Sequence, residues 1–257
     1  MTGVTSVTFR KFSPEKIISL AKNAGLRGIE WGGDVHVPPV DGNSGENSFA
    51  AAVRDMTTSA ELTVLSYGSY HKLCAGLDFA PVLAAARTLG APLIRVWAGT
   101  AASAAADDEY YRKAAKELRD ICLSAADAGI KIGLEYHRGT LTDTAASAKK
   151  LVLLTGQKNL RLYWQPNPDI PADEHYREIA LLLPWISYVH VFFWEKGNIR
   201  RPLADGEAVW KEYIRLLGHG KNYIMEFVQD DREDNFLADA RVLARLCSGE
   251  NPESLDS

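Results

Sequence analysis

The sequence predicts a single-domain α/β fold, a closed (β/α)8 barrel. Three observations carry this. Short apolar runs alternate with longer amphipathic runs about eight times, and 257 residues match the length that eight such units need. The alternation implies parallel strands joined by crossover helices. The main competitor, a doubly wound open sheet, should show a glycine-rich phosphate turn after its first strand, and neither G-x-G-x-x-G nor a P-loop occurs. No composition shift or linker marks a domain boundary. The barrel is expected over residues 1–248, with "GENPESLDS" (249–257) as a disordered tail.

In order, "VTSVTF" (Val4–Phe9) reads as the first strand. "SPEKIISLAKNAG" follows as a helix with Ser13 as N-cap, Pro14 in the first turn and Gly25 as its stop. "RGIEW" is the second strand and leads into a polar loop through Pro38, Pro39 and Gly45. "NSFAAAVRDMTTSA" is helical and "LTVLSY" extended; "DFAPVLAAARTLG" is helical and "PLIRVWAG" extended. A long helix, "DDEYYRKAAKELRDICLSAADAG", precedes the fifth strand, "IKIGLEYH". "TDTAASAKKLVLLTG" opens on a capping signal and ends at Gly156. Then come strand "LRLYWQ", helix "ADEHYREIALLL", strand "ISYVHVFFW", helix "GEAVWKEYIRLL", strand "NYIMEFV" and helix "NFLADARVLARL".

Composition narrows the function classes. The chain is 46% hydrophobic and 24% charged, ordinary globular usage. A net charge of -4 without a basic stripe argues against a nucleic-acid partner. No apolar run approaches the ~18 residues of a membrane span, and the N-terminus carries no secretory pattern. Cys74, Cys122 and Cys247 are too scattered for a zinc knuckle or a disulfide framework. A reducing cytoplasm is the expected setting and a small molecule the expected partner; homo-oligomerisation is left open.

In a barrel of this kind, chemistry belongs at the C-terminal ends of the strands. Those ends present Glu30, Trp31, Asp34 and His36; Ser66, Tyr67 and His71; Arg95 and Trp97; Glu135 and His137; Gln165 and Asn167; His190; and Glu226. Glu135 and His137 are two apart and so share a face. Taken singly, a strand-end glutamate is ordinarily paired with Arg or Lys, His190 reads as a hydrogen-bonded core histidine and Gln165 as polar rim. Four such residues in a repeating position, on strands five to eight, favour a metal site: two carboxylates, an imidazole and an amide oxygen suit Mn²⁺, Mg²⁺, Co²⁺ or Zn²⁺.

At these residues the chain resembles the xylose-isomerase-like TIM barrels, the sugar phosphate isomerase/epimerase group. "AGLRGIEWGG", "IGLEYHRGTLTDT", "YVHVFFW", "RRPLADGEAVWKEYIRLL" and "YIMEF" carry the resemblance, which covers nearly the whole chain. It implies metal ligands at Glu135, His190 and Glu226. The group's strand-six aspartate ligand, often with a histidine three residues on, is replaced here by Gln165 and Pro168. Weaker metal affinity, a different substrate or lost activity would each follow. The implied function is a metal-dependent isomerase or epimerase of a sugar or related polyol or keto acid, with proton transfer through a metal-stabilised enediolate. Glu135 and Glu226 are the expected acid–base pair, and Glu135, Gln165, His190 and Glu226 the expected metal ligands.

Substrate contacts are expected from His137, Arg201, His36 and His71, and from Trp31 and Trp97, whose rings could stack on sugar C–H faces, with Trp164 and Trp194 close by. Second-sphere, solvated-loop or packing roles are the respective alternatives. Three other functions share the scaffold: a dehydratase (lyase) of a keto-inositol-like substrate, a catalytically degenerate barrel that only binds a polyol, and a DNA-repair endonuclease. The last needs a larger His/Asp/Glu set and a basic surface, which six histidines and an acidic balance do not supply.

Overall fold

A computed structural model describes residues 1–40 and 47–248. Gly45 of the expected polar loop, and the expected tail at 249–257, lie outside the described residues. The strands are β1 (Thr2–Thr5), β2 (Gly28–Gly32), β3 (Thr63–Lys72), β4 (Leu93–Trp97), β5 (Lys131–Glu135), β6 (Leu160–Trp164), β7 (Ile186–Val191), β8 (Phe193–Glu195), β9 (Ile199–Arg201) and β10 (Asn222–Met225). Eight of them form a closed parallel barrel in the order β1-β10-β7-β6-β5-β4-β3-β2. β8 and β9 stand apart as an antiparallel hairpin.

The helices are α1 (Pro14–Asn23), α2 (Ser48–Ser59), α3 (Ala80–Leu89), α4 (Asp108–Asp127), α5 (Ala145–Thr155), α6 (Ala172–Leu182), α7 (Glu207–Leu217) and α8 (Glu233–Ser248). Side-chain caps start several of them: Ser13, Asn47, Asp107 and Thr144 each accept a backbone N–H of the first turn. α4 buries Tyr111, Ala114, Ala115, Leu118, Ile121, Cys122 and Ala125, an apolar stripe at helical spacing that faces the barrel. Among the described residues no helix is long and apolar enough to cross a membrane.

Several strands differ from the expected bounds; the third runs on past Tyr67 to Lys72, and the last ends at Met225. The first ends at Thr5, and Ser6–Phe9 turn into a 3-10 helix because Ser6 Oγ accepts the Gly32 N–H across to β2. The seventh ends at Val191, and "FWE" leaves the barrel to pair with "IRR".

Inside the barrel, Leu65, Leu93, Tyr163, Tyr188 and Ile224 form their own apolar cluster, with the two tyrosine rings stacked at 4.7 Å. Gly133 is required there, since a Cβ would fall 2.8 Å from both Leu93 and the Tyr163 ring. This plug is a floor. Side chains alternate along a strand, so the next inward positions toward the C-terminal end are Arg95, Glu135, Gln165, His190 and Glu226, each two residues past a plug or lining residue.

Candidate active site

Just above the plug lies a cluster of buried charge. Glu30, on β2, is fully buried and accepts hydrogen bonds from Thr5 Oγ1 at 3.0 Å and Ser66 Oγ at 2.9 Å. Arg95 is 2% exposed; its Nη1 lies 3.1 Å from Glu135 Oε2, 3.8 Å from Glu30 Oε1 and 4.0 Å from Glu226 Oε1. Gly68 on β3 leaves room for them, because a Cβ there would meet Glu30 Oε1 at 3.0 Å and Arg95 Nη2 at 3.2 Å.

Burial opposes charge on every member, and the neighbours decide the outcome. Desolvation would raise the Glu30 carboxyl, but Arg95 and then His190 drive it well below the usual range. Desolvation would lower Arg95, and Glu135, Glu30 and Glu226 hold it above its ordinary value. Glu226 is raised, by burial first, with His190 opposing and Glu135 adding to the shift. His190 is raised in spite of its burial, through Glu226 and Glu30.

His190 is held from two sides. Gln165 Oε1 lies 2.9 Å from Nδ1, Glu226 Oε2 lies 3.4 Å from the same nitrogen, and Glu30 Oε1 lies 3.4 Å from Nε2. Glu135, His190 and Glu226 each offer a ligand atom, and these atoms lie within 4.8 Å of one another. Glu135 Oε2 and His190 Nε2 are buried without an aligned hydrogen bond, although Arg95 and Glu30 stand nearby. The donor set fits a divalent cation. With His190 neutral, Glu30, Glu135 and Glu226 against Arg95 leave two uncompensated negative charges, which one divalent ion would cancel.

Above the cluster opens a cavity of about 250 Å³, with Glu135, Gln165 and Glu226 at its base and Trp97, Tyr136, His137, Phe192, Trp194 and Phe227 among its walls. The His137 ring packs on Trp97 at 4.4 Å, and its Nδ1 meets the Arg138 carbonyl at 2.7 Å. Phe227, next to Glu226, sits at φ 52°, a costly conformation for a bulky residue, and its N–H is tied to Thr8 Oγ1.

Thus the structure brings Glu135, Gln165, His190 and Glu226 together, with His137 and Trp97 beside them. It does not bring the other four expected substrate contacts to this cavity. Trp31 neighbours the inward Glu30, so strand alternation turns it outward; it is fully buried and donates to Thr57 on α2. His36 is buried in the following loop, its Nε2 3.1 Å from the Phe12 carbonyl, and burial lowers its pKa. His71 is buried against Phe79, its Nε2 3.4 Å from Glu117. Arg201 is half-exposed on β9 and forks onto Glu195 of β8 at 2.8 and 3.0 Å. Trp164 also faces outward, edge-on to Trp210 and Tyr213 of α7, whereas Trp194 does line the cavity.

Glu30 and Arg95 carry the larger omission: both are strand-end residues to which the sequence reading gave no role. Parity was the available signal, since Arg95 shares the inward face of β4 with Trp97.

Residues 18–246 match the family described as xylose isomerase-like TIM barrel. No curated protein sequence matches the chain. Similar solved structures include a probable 3-DHS dehydratase involved in petrobactin synthesis from Bacillus anthracis, at 20% identity and TM-score 0.80, covering 95% of this chain and 99% of that one. A 3-keto-D-glucoside 4-epimerase from E. coli aligns at 17% identity and TM-score 0.72, covering 96% and 98%. A xylose isomerase-like TIM barrel protein from Mycobacterium smegmatis, in complex with magnesium, aligns at 14% and 0.67, covering 96% of each chain. At these identities the likeness establishes the fold.

Proposed function

The chain belongs to the xylose isomerase-like TIM-barrel family, and from that premise we propose that it is a divalent-metal-dependent isomerase or epimerase of a small sugar or related polyol. One observation carries the reading: Glu135, His190 and Glu226 converge within 4.8 Å at the base of an aromatic-walled cavity. These three, with the Gln165 amide oxygen, would hold the ion. Bound there, it supplies a Lewis acid that polarises a carbonyl and acidifies the neighbouring C–H.

The chain's own residues do the rest. Glu135, at the end of β5, and Glu226, just past β10, would face a substrate from two sides. One removes and keeps the proton next to the carbonyl, and the other, which starts protonated from solvent, delivers its own proton to the opposite face or to the adjacent carbon. Arg95 fixes Glu135 from below, so the carboxylate is oriented before substrate arrives. Trp97, Phe192 and Trp194 offer ring faces to the C–H surface of a sugar and exclude water.

The similar 3-DHS dehydratase and 3-keto-glucoside epimerase support this class of chemistry without choosing between its outcomes. The test is incubation with a ketose panel in D₂O, followed by proton NMR. Deuterium at the carbon next to the carbonyl, in a product of unchanged skeleton, is the expected result, and Glu135→Gln and Glu226→Gln should each abolish it. Loss of water would indicate the dehydratase. No exchange with any metal or ketose would leave a barrel that only binds.

A further inference from the structure

We propose that the ligand of the mouth cavity is uncharged: an unphosphorylated polyhydroxy carbonyl compound, with phosphate esters and carboxylates disfavoured. This rests on the functional reading only in taking the mouth as the substrate site.

The first ground is that each cation in the cavity wall is already engaged. Three arginines line it: Arg10, Arg95 and Arg138. Arg10 donates to Asp34 Oδ2 at 2.6 Å and to the Tyr70 hydroxyl at 2.6 Å. Arg95 lies among Glu30, Glu135 and Glu226. Arg138 donates to Asp169 Oδ2 at 2.5 Å and to Asn198 Oδ1 at 2.7 Å. The same wall carries Glu135, Asp143 and Glu226, so its formal charges balance before the flanking Asp34 and Asp169 are added. Lys72 is near but not in the wall, its ammonium 5.0 Å over the Trp97 ring. The two segments outside the described residues contain no Lys or Arg, so no further cation is available from them.

The second ground is independent. Barrels of this fold commonly bind phosphate where the loops after strands seven and eight enter a helix N-terminus. Here those positions are acidic. After β7 and its hairpin, the 3-10 helix Leu203–Gly206 carries Asp205, and Glu207 opens α7. After β10, Gln229–Asp231 carries Asp230 and Asp231, and α8 opens with Glu233 and Asp234; Arg232, which lies between the two pairs, is tied to Asp234. An anion would meet like charge at both places. What the wall does offer suits hydroxyls: neutral polar side chains, Tyr70, Gln165 and Asn167, stand in it among the aromatic rings.

The test uses the full chain and reads its wall tryptophans by fluorescence while D-fructose, D-fructose 6-phosphate and inorganic phosphate are titrated. Wild type should bind the ester no more tightly than the free ketose. Asp169→Asn, which releases Arg138, should then raise ester and phosphate affinity by about 10-fold or more, the worth of one charge-assisted hydrogen bond. Neutral ketose affinity should change little. Wild type binding the ester more than about 10-fold tighter than the ketose would overturn the proposal. So would an Asp169→Asn protein that gains nothing. The ester comparison decides the charge even where fructose itself is not bound. Failure of the catalytic reading would appear separately, as deuterium exchange that persists in Glu135→Gln and Glu226→Gln.

Discussion

Arg95→Met is expected to destabilise the metal-free protein strongly and to make its stability depend on added metal. The guanidinium lies 3.1, 3.8 and 4.0 Å from oxygens of Glu135, Glu30 and Glu226. At an effective dielectric of about 20, each contact is worth about 4–5 kcal/mol before desolvation is subtracted. Methionine fills the aliphatic volume but leaves three buried carboxylates facing one another. Breaking a buried pair by removing one partner costs about 3–5 kcal/mol, or roughly 10 °C in melting temperature for a barrel of this size. A divalent ion then restores the missing positive charge. Scanning fluorimetry with EDTA and with Mn²⁺ measures both terms, and the Mn²⁺-induced rise should be larger in Arg95→Met than in wild type. A metal-free variant melting within about 2 °C of wild type would refute the electrostatic account, since that corresponds to under about 1 kcal/mol.

Three further outcomes are expected. Gln165→Asp adds a third carboxylate beside His190; divalent affinity should rise roughly tenfold or more by calorimetry while the metal-free protein melts lower, because ligand charge sets affinity. Thr5→Val removes a buried donor to Glu30 and should cost about 1–3 kcal/mol in urea unfolding. Burial raises the Glu178 carboxyl to about 7, with the Tyr136 hydroxyl opposing, against an ordinary 4.5. A proton held more tightly in the folded state stabilises at low pH, and that contribution is lost as pH rises from 4.5 through about 7. Glu178→Gln should therefore flatten the fall of stability across that window, measured by urea midpoints.

The barrel was legible because two periodicities, of two and of 3.6 residues, alternate along the chain without interruption. Glu135, Gln165, His190 and Glu226 were legible because each is a polar interruption at the end of an apolar strand. Trp31 and Trp164 were misplaced although the signal was present: each adjoins an inward residue, and a step of one along a strand reverses the face. The Glu195–Arg201 pair could also have been read from "WEKGNIRR", since Gly197 and Asn198 both adopt positive φ in the turn that joins β8 to β9. Other features were not local. Arg95 on β4 meets Glu30 on β2 and Glu226 just past β10, so its role exists only once the sheet closes. His36 sits in a loop and His71 near the end of β3, and their burial is fixed by the Phe12 carbonyl and the Phe79 ring, contacts that no spacing encodes.

The central claim is that Glu135, His190 and Glu226 form one divalent-ion site. Calorimetric titration of Mn²⁺ into EDTA-stripped, dialysed protein tests it most directly, comparing wild type with His190→Gln and Glu226→Gln. One ion per chain should bind to wild type, and saturable binding should disappear in both variants. Wild-type affinity retained in both, or no saturable binding to wild type, would contradict the account.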